Sequence, residues 1–107
     1  MEPLIVMICR EGYWKSGPDS QLPLPVAGDE PWVGMAEFLR KLARLEAKAR
    51  AKAVRPLMCR LCKLQAGNIE YEFGGWTWMG SLQHYVNSHN LRPSLAFQEF
   101  VLERTIK

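Results

Sequence analysis

Two short motifs constrain this chain more than anything else in it: Cys59-Arg60-Leu61-Cys62 and, after 21 intervening residues, His84-Tyr85-Val86-Asn87-Ser88-His89. A CxxC turn curls so that both sulfurs and the neighbouring amides converge on one point, and two imidazoles near a helix end do the same. The chain has three cysteines and two histidines, and all but Cys9 fall into these matched motifs in order. The pattern predicts one structural zinc per chain, held by Cys59, Cys62, His84 and His89. Residues five apart on an ideal helix point roughly 140° away from each other. The helix must therefore loosen or tighten near Ser88, where Asn90 and Pro93 mark its end. Other readings of the same residues are a reduced, buried cysteine pair with two ordinary helix histidines, or a redox CxxC. The redox motif wants a preceding strand and cysteines at a helix start, whereas a basic helix and Pro56 are expected before them here.

With a turn-rich β segment between CxxC and a helix ending in HxxxxH, residues 59–89 resemble the two-Cys, two-His zinc finger. The resemblance implies the ligand set Cys59, Cys62, His84 and His89. The family spacing between second Cys and first His is about 12 residues, against 21 here. The base-reading helix positions do not carry over, because Trp78, Leu82 and Val86 read as packing residues.

Charge is distributed unevenly around a net +3. Residues 40–63 hold Arg40, Lys41, Arg44, Lys48, Arg50, Lys52, Arg55, Arg60 and Lys63 against Glu46 alone, while the flanks are mildly acidic. Such a block attracts phosphate, or the chain's own acidic flanks.

The apolar run at residues 4–9 reads as a buried N-terminal strand, with Cys9 a small core residue. Residues 16–29, with Gly17-Pro18, Pro23, Pro25 and Gly28, cannot sustain a helix and read as a long loop wrapped on the core. Asp29 can cap a helix with Pro31 in its first turn, running from residue 31 to 54 and stopping before Pro56. Along it Met35, Phe38, Leu42, Leu45 and Ala49 make one apolar stripe, and Arg40, Arg44, Lys48 and Lys52 recur every fourth residue on another face. Ile69-Glu70-Tyr71-Glu72-Phe73 alternates as a half-buried strand after the turn at Gly67-Asn68. Gly74-Gly75 changes the chain's direction into a helix capped by Thr77 and carrying Trp78, Leu82, Tyr85, Val86 and His89. Ser94 caps a last short helix whose Phe97, Phe100 and Val101 face the core.

These elements define a small α+β single domain. It comprises an N-terminal strand and Pro-rich loop (1–30), a long basic amphipathic helix (31–55), and a zinc-finger-like segment with a CxxC hairpin and C-terminal helices (56–107). At 107 residues and 48% hydrophobic, the chain suits one domain. The run at 4–9 is far too short to span a bilayer and lacks the flanks of a secretory signal, so an intracellular, cytoplasmic protein is expected, with no membrane partner. No nucleophile elbow, GxGxxG, Walker pattern or HExxH appears, and Glu70 and Glu72 read as a solvated strand face, so neither an enzyme nor a small-molecule substrate is expected. The expected function is nucleic-acid binding, RNA before DNA, through Arg40, Lys41, Arg44, Lys48, Lys52, Arg55, Arg60 and Lys63. The alternative is a protein adaptor or complex subunit that uses the amphipathic helix and Pro-rich loop.

Overall fold

A two-residue Gly-Gly turn organises the sheet. Gly74 and Gly75 adopt φ 57° and 86°, the pair of left-handed conformations that a tight hairpin matching strand twist requires. They join a strand of Gln65–Phe73 to one of Trp76–Met79, with Phe73 opposite Trp76 and Tyr71 opposite Trp78. The computed structural model describes residues 9–14 and 24–104. Numbered in chain order, its elements are β1 (Cys9–Glu11), α1 (Met35–Lys48), β2 (Arg50–Met58), β3 (Gln65–Phe73), β4 (Trp76–Met79), α2 (Leu82–His89) and α3 (Leu95–Arg104). The strands form one mixed sheet in the order β1-β4-β3-β2, in which only β1 and β4 run parallel. The result is a small compact α+β domain. Among the described residues, no helix is long and apolar enough to cross a membrane.

The helices cover the sheet face that carries Tyr71, Trp76 and Trp78. Phe97 and Phe100 of α3 pack on Trp78 with ring centroids 5.5 and 6.4 Å away, and on Trp76 at 5.1 and 5.7 Å. Phe38, Leu42 and Leu45 of α1 and Leu82, Tyr85 and Val86 of α2 complete the buried core. The α1 stripe expected from the spacing is therefore the core face of the domain. Ser94 caps α3 as expected, its Oγ accepting from the Phe97 amide at 3.2 Å. The Glu11 carboxylate in turn accepts from the Ser94 amide and hydroxyl, tying β1 to α3.

Four expectations are corrected. The long helix spanning residues 31–55 is a shorter α1 followed, after Ala49, by the nine-residue strand β2. The intrinsic helix preference of the Ala/Lys/Arg run is overridden by pairing with β3, where Arg50 lies opposite Glu72 and Lys52 opposite Glu70. At the other end, Pro31 and Trp32 do not enter the helix. The Trp32 indole donates to the Leu91 carbonyl at 3.1 Å, and Gly34, at φ 85°, starts α1 without a side-chain cap. Thr77 and Trp78 are strand rather than helix, with Trp78 fully buried. Cys9 is exposed, so it is not a core residue. The rest of the apolar run, residues 4–8, and residues 15–23 of the Pro-rich loop lie outside the described residues. The loop's far end packs on the domain: Pro25 is buried, and the Gly28 amide donates to the His89 carbonyl at 2.9 Å.

Candidate metal centre

The CxxC motif sits on the connection between β2 and β3, where the chain reverses over residues 59–64. Its reversal is closed by the Cys59 amide on the Leu64 carbonyl at 2.8 Å and the Lys63 amide on the Cys59 carbonyl at 2.9 Å, with Lys63 in the left-handed region at φ 66°. This geometry turns the Leu61 and Cys62 amides toward the Cys59 sulfur, each at 3.4 Å. A strand does precede the cysteines, contrary to the expected helix. They nevertheless occupy a hairpin tip and not the helix start that a redox CxxC uses.

His84 and His89 project from α2 toward this knuckle. The Cys62 Sγ lies 3.3 Å from His84 Nε2 and the Cys59 Sγ 3.3 Å from His89 Nε2. The ligand atoms of all four residues fall within 4.8 Å of one another. The helix loosens where the spacing requires it: the Asn90 amide reaches both the Tyr85 and Val86 carbonyls, and the Leu91 amide bonds Tyr85 at 3.2 Å. A turn closed over five residues instead of four brings residues five apart onto one side. Asn90, at φ 54°, then ends α2, as its position in the sequence suggested.

These donors fit a tetrahedral ion. Two thiolates near 2.3 Å and two imidazole nitrogens near 2.0–2.1 Å from a zinc would place adjacent S and N about 3.6 Å apart, close to the observed 3.3 Å. The local field favours the deprotonated ligands that a metal needs. Burial opposes ionisation of the Cys59 thiol, but the Cys62 and Leu61 amides, the Cys62 side chain and the Tyr85 hydroxyl outweigh it and hold Cys59 below the usual thiol range. Burial, and then the neighbouring His89, lower the His84 pKa and keep its imidazole neutral.

Tyr85 is the functional residue that sequence reading missed, having been assigned to packing alone. It is 1% exposed. Its oxygen accepts from the Arg60 amide at 2.8 Å, and its hydroxyl is among the groups that favour the ionised Cys59 sulfur. Burial and the Cys59 charge raise its pKa, keeping the hydroxyl a donor. The signal was available in principle, because a buried tyrosine adjacent to His84 needs a polar partner. A second support also escaped notice. Glu46, the lone acid of the basic block, is half-buried and accepts from Trp78 Nε1 at 2.9 Å and from Nε2 of Gln83, the neighbour of His84, at 2.8 Å.

The basic residues are not gathered on one helix. Arg40, Lys41, Arg44 and Lys48 lie on α1, Lys52 and Arg55 on β2, and Arg60 and Lys63 on the knuckle. All are exposed except Lys41, which is half-buried and pairs with Glu37 at 3.1 Å. Among the described residues the other seven make no ion pair; Arg50 pairs with Glu72 at 3.8 Å.

Fold and cluster together define a small α+β domain with a two-Cys, two-His side-chain cluster able to hold a metal ion. Comparison with protein-family models, with curated proteins and with solved structures finds no match.

Proposed function

We propose that this chain is a non-catalytic, zinc-structured module that binds nucleic acid, RNA in preference to DNA, through basic side chains on α1, β2 and the knuckle. The observation that carries the reading is the set of seven exposed Lys and Arg side chains without ion pairs among the described residues, running along the chain into the metal cluster. Cations left unpaired in water are those free to displace counterions from a phosphate backbone. The S2N2 donor set favours zinc over harder ions. Four protein donors fill a tetrahedral zinc and leave no position for water or substrate, which makes the metal structural.

The test is fluorescence anisotropy of the zinc-loaded chain with labelled single-stranded RNA, duplex RNA and duplex DNA across a salt series, beside metal analysis of the purified protein. The reading expects about one zinc per chain and RNA affinity whose log–log salt slope is about −3 or steeper, as for four or more phosphate contacts. Charge reversal at Arg44, Lys48 and Lys52 should abolish it. A protein-binding role is the second reading, supported by Met58, Leu61 and Leu64, which stand 53%, 39% and 64% exposed around the cysteines. Absence of binding at low salt would transfer the assignment to it.

A further inference from the structure

We infer that the cavity beside the knuckle seats one unpaired nucleotide of a single-stranded nucleic acid, an inference that rests on the nucleic-acid reading above. The cavity is about 430 Å³ and lies between the chain after β1 and the end of β2, with Tyr13, Trp14, Leu57, Met58, Arg60 and Tyr85 in its lining. That volume is within the range of small-molecule sites, roughly 300–1,000 Å³.

Three features of the lining match three parts of a nucleotide. Tyr13, Trp14, Leu57 and Met58 provide aromatic and apolar wall for the face of a base, the contact that single-strand binders use without regard to sequence. Arg60 is exposed at the rim and makes no ion pair among the described residues, so its guanidinium is free for a phosphate. Trp14 Nε1 is buried and finds no hydrogen-bond partner among the described residues. A buried orphan donor is costly and calls for an acceptor, which the carbonyls and ring nitrogens of a base supply.

The site is also held in place. The Trp14 ring meets Tyr85 edge-on at 5.6 Å, and the Tyr85 oxygen accepts from the Arg60 amide at 2.8 Å. Arg60 directly follows Cys59 in the chain, so wall and rim are tied to the CxxC turn through the Tyr85 oxygen. Basic β2 leads the backbone of a bound strand toward this point, whereas a duplex keeps its bases stacked and presents none to the cavity.

The test titrates the zinc-loaded full chain with labelled RNA of about ten nucleotides, single-stranded and as a duplex. Trp14→Phe, Arg60→Gln and the double variant Arg44→Glu/Lys48→Glu are compared after amide spectra show that each keeps the native fold. Trp14→Phe and Arg60→Gln should each weaken single-strand binding about tenfold and leave duplex binding unchanged. Uridine monophosphate should move the Trp14 indole N–H resonance while inorganic phosphate does not. If both variants bind single strands normally and the double variant does not, the cavity is not a nucleotide site, although the nucleic-acid reading stands. Equal loss for single strand and duplex in Trp14→Phe would also overturn the inference, by making the indole merely structural. If the intact chain binds neither form at low salt, both readings fall.

Discussion

Tyr85 shows how much one side chain does in a domain this small. Its ring fills core, its oxygen anchors the Arg60 amide, and its hydroxyl favours the ionised sulfur of Cys59 in the candidate metal cluster. Gly28 acts on the opposite ligand: its amide holds the His89 carbonyl, and a Cβ there would stand 2.7 Å from the Asn90 carbonyl oxygen. Gly28→Ala must therefore displace the turn that aims His89. Cobalt titration followed by thiolate-to-metal absorption should show affinity reduced about tenfold, as for other losses of outer support to a ligand. Glu46 makes a pH prediction. Burial pushes its pKa from 4.5 up to about 7, against the lowering effect of its bonds from Trp78 and Gln83. The folded state then binds the proton more tightly than the unfolded chain, so this residue's contribution to stability is intact below about 4.5 and falls as pH rises through about 7. The difference is on the order of 3 kcal/mol. Denaturant unfolding of zinc-loaded wild type and Glu46→Gln between those pH values should show the fall in the former relative to the latter.

At the scale of elements, β2 is the instructive case. The apolar stripe of α1 was legible because Met35, Phe38, Leu42 and Leu45 recur at helical spacing. It ends at Ala49, after which only the small Ala53 keeps the spacing before Pro56. What extended the expected helix was the row of basic residues, whose four-residue recurrence fits an exposed strand equally well. The mark of a strand lies in a partner: acidic Glu70 and Glu72 on β3 stand opposite Lys52 and Arg50, a match visible only once the two segments are aligned. Trp78 was misplaced for a related reason, since the two glycines permit any change of direction and only the pairing of Phe73 with Trp76 specifies a hairpin. The Cys59, Cys62, His84 and His89 cluster was legible because the chemistry of such a set depends on residue type and local spacing. Tyr85, Gln83 and Gly28 were not, because their roles arise from contacts distant in sequence. The exposed edge formed by β2 carries Arg50, Lys52 and Pro56, residue types that discourage pairing with another chain. In sedimentation velocity, Arg50→Thr with Lys52→Val should show an association that grows with concentration and exceeds that of the unsubstituted chain.

For the whole molecule, the cluster joins the hairpin tip to α2, and the core it supplements is small. Substituting Cys59, Cys62 or His84, or removing metal with a chelator, should unfold at least residues 56–104, read as lost dispersion of the Trp78 and Tyr85 resonances. Free zinc at about 100 times its dissociation constant should raise unfolding free energy by about 2.7 kcal/mol, and the thermal midpoint by on the order of 10 °C. A folded metal-free chain with native shifts would refute this coupling. The ligands also come as two pairs, three and five residues apart, on elements that are neighbours only after folding. Each pair is short enough to grip an ion before the chain has closed the span between them, whose closure entropy grows only slowly with length. For a chain folding in the presence of metal, the spacing of the cluster therefore predicts capture by the two sulfurs first, with the rest of the chain recruited around the ion they hold.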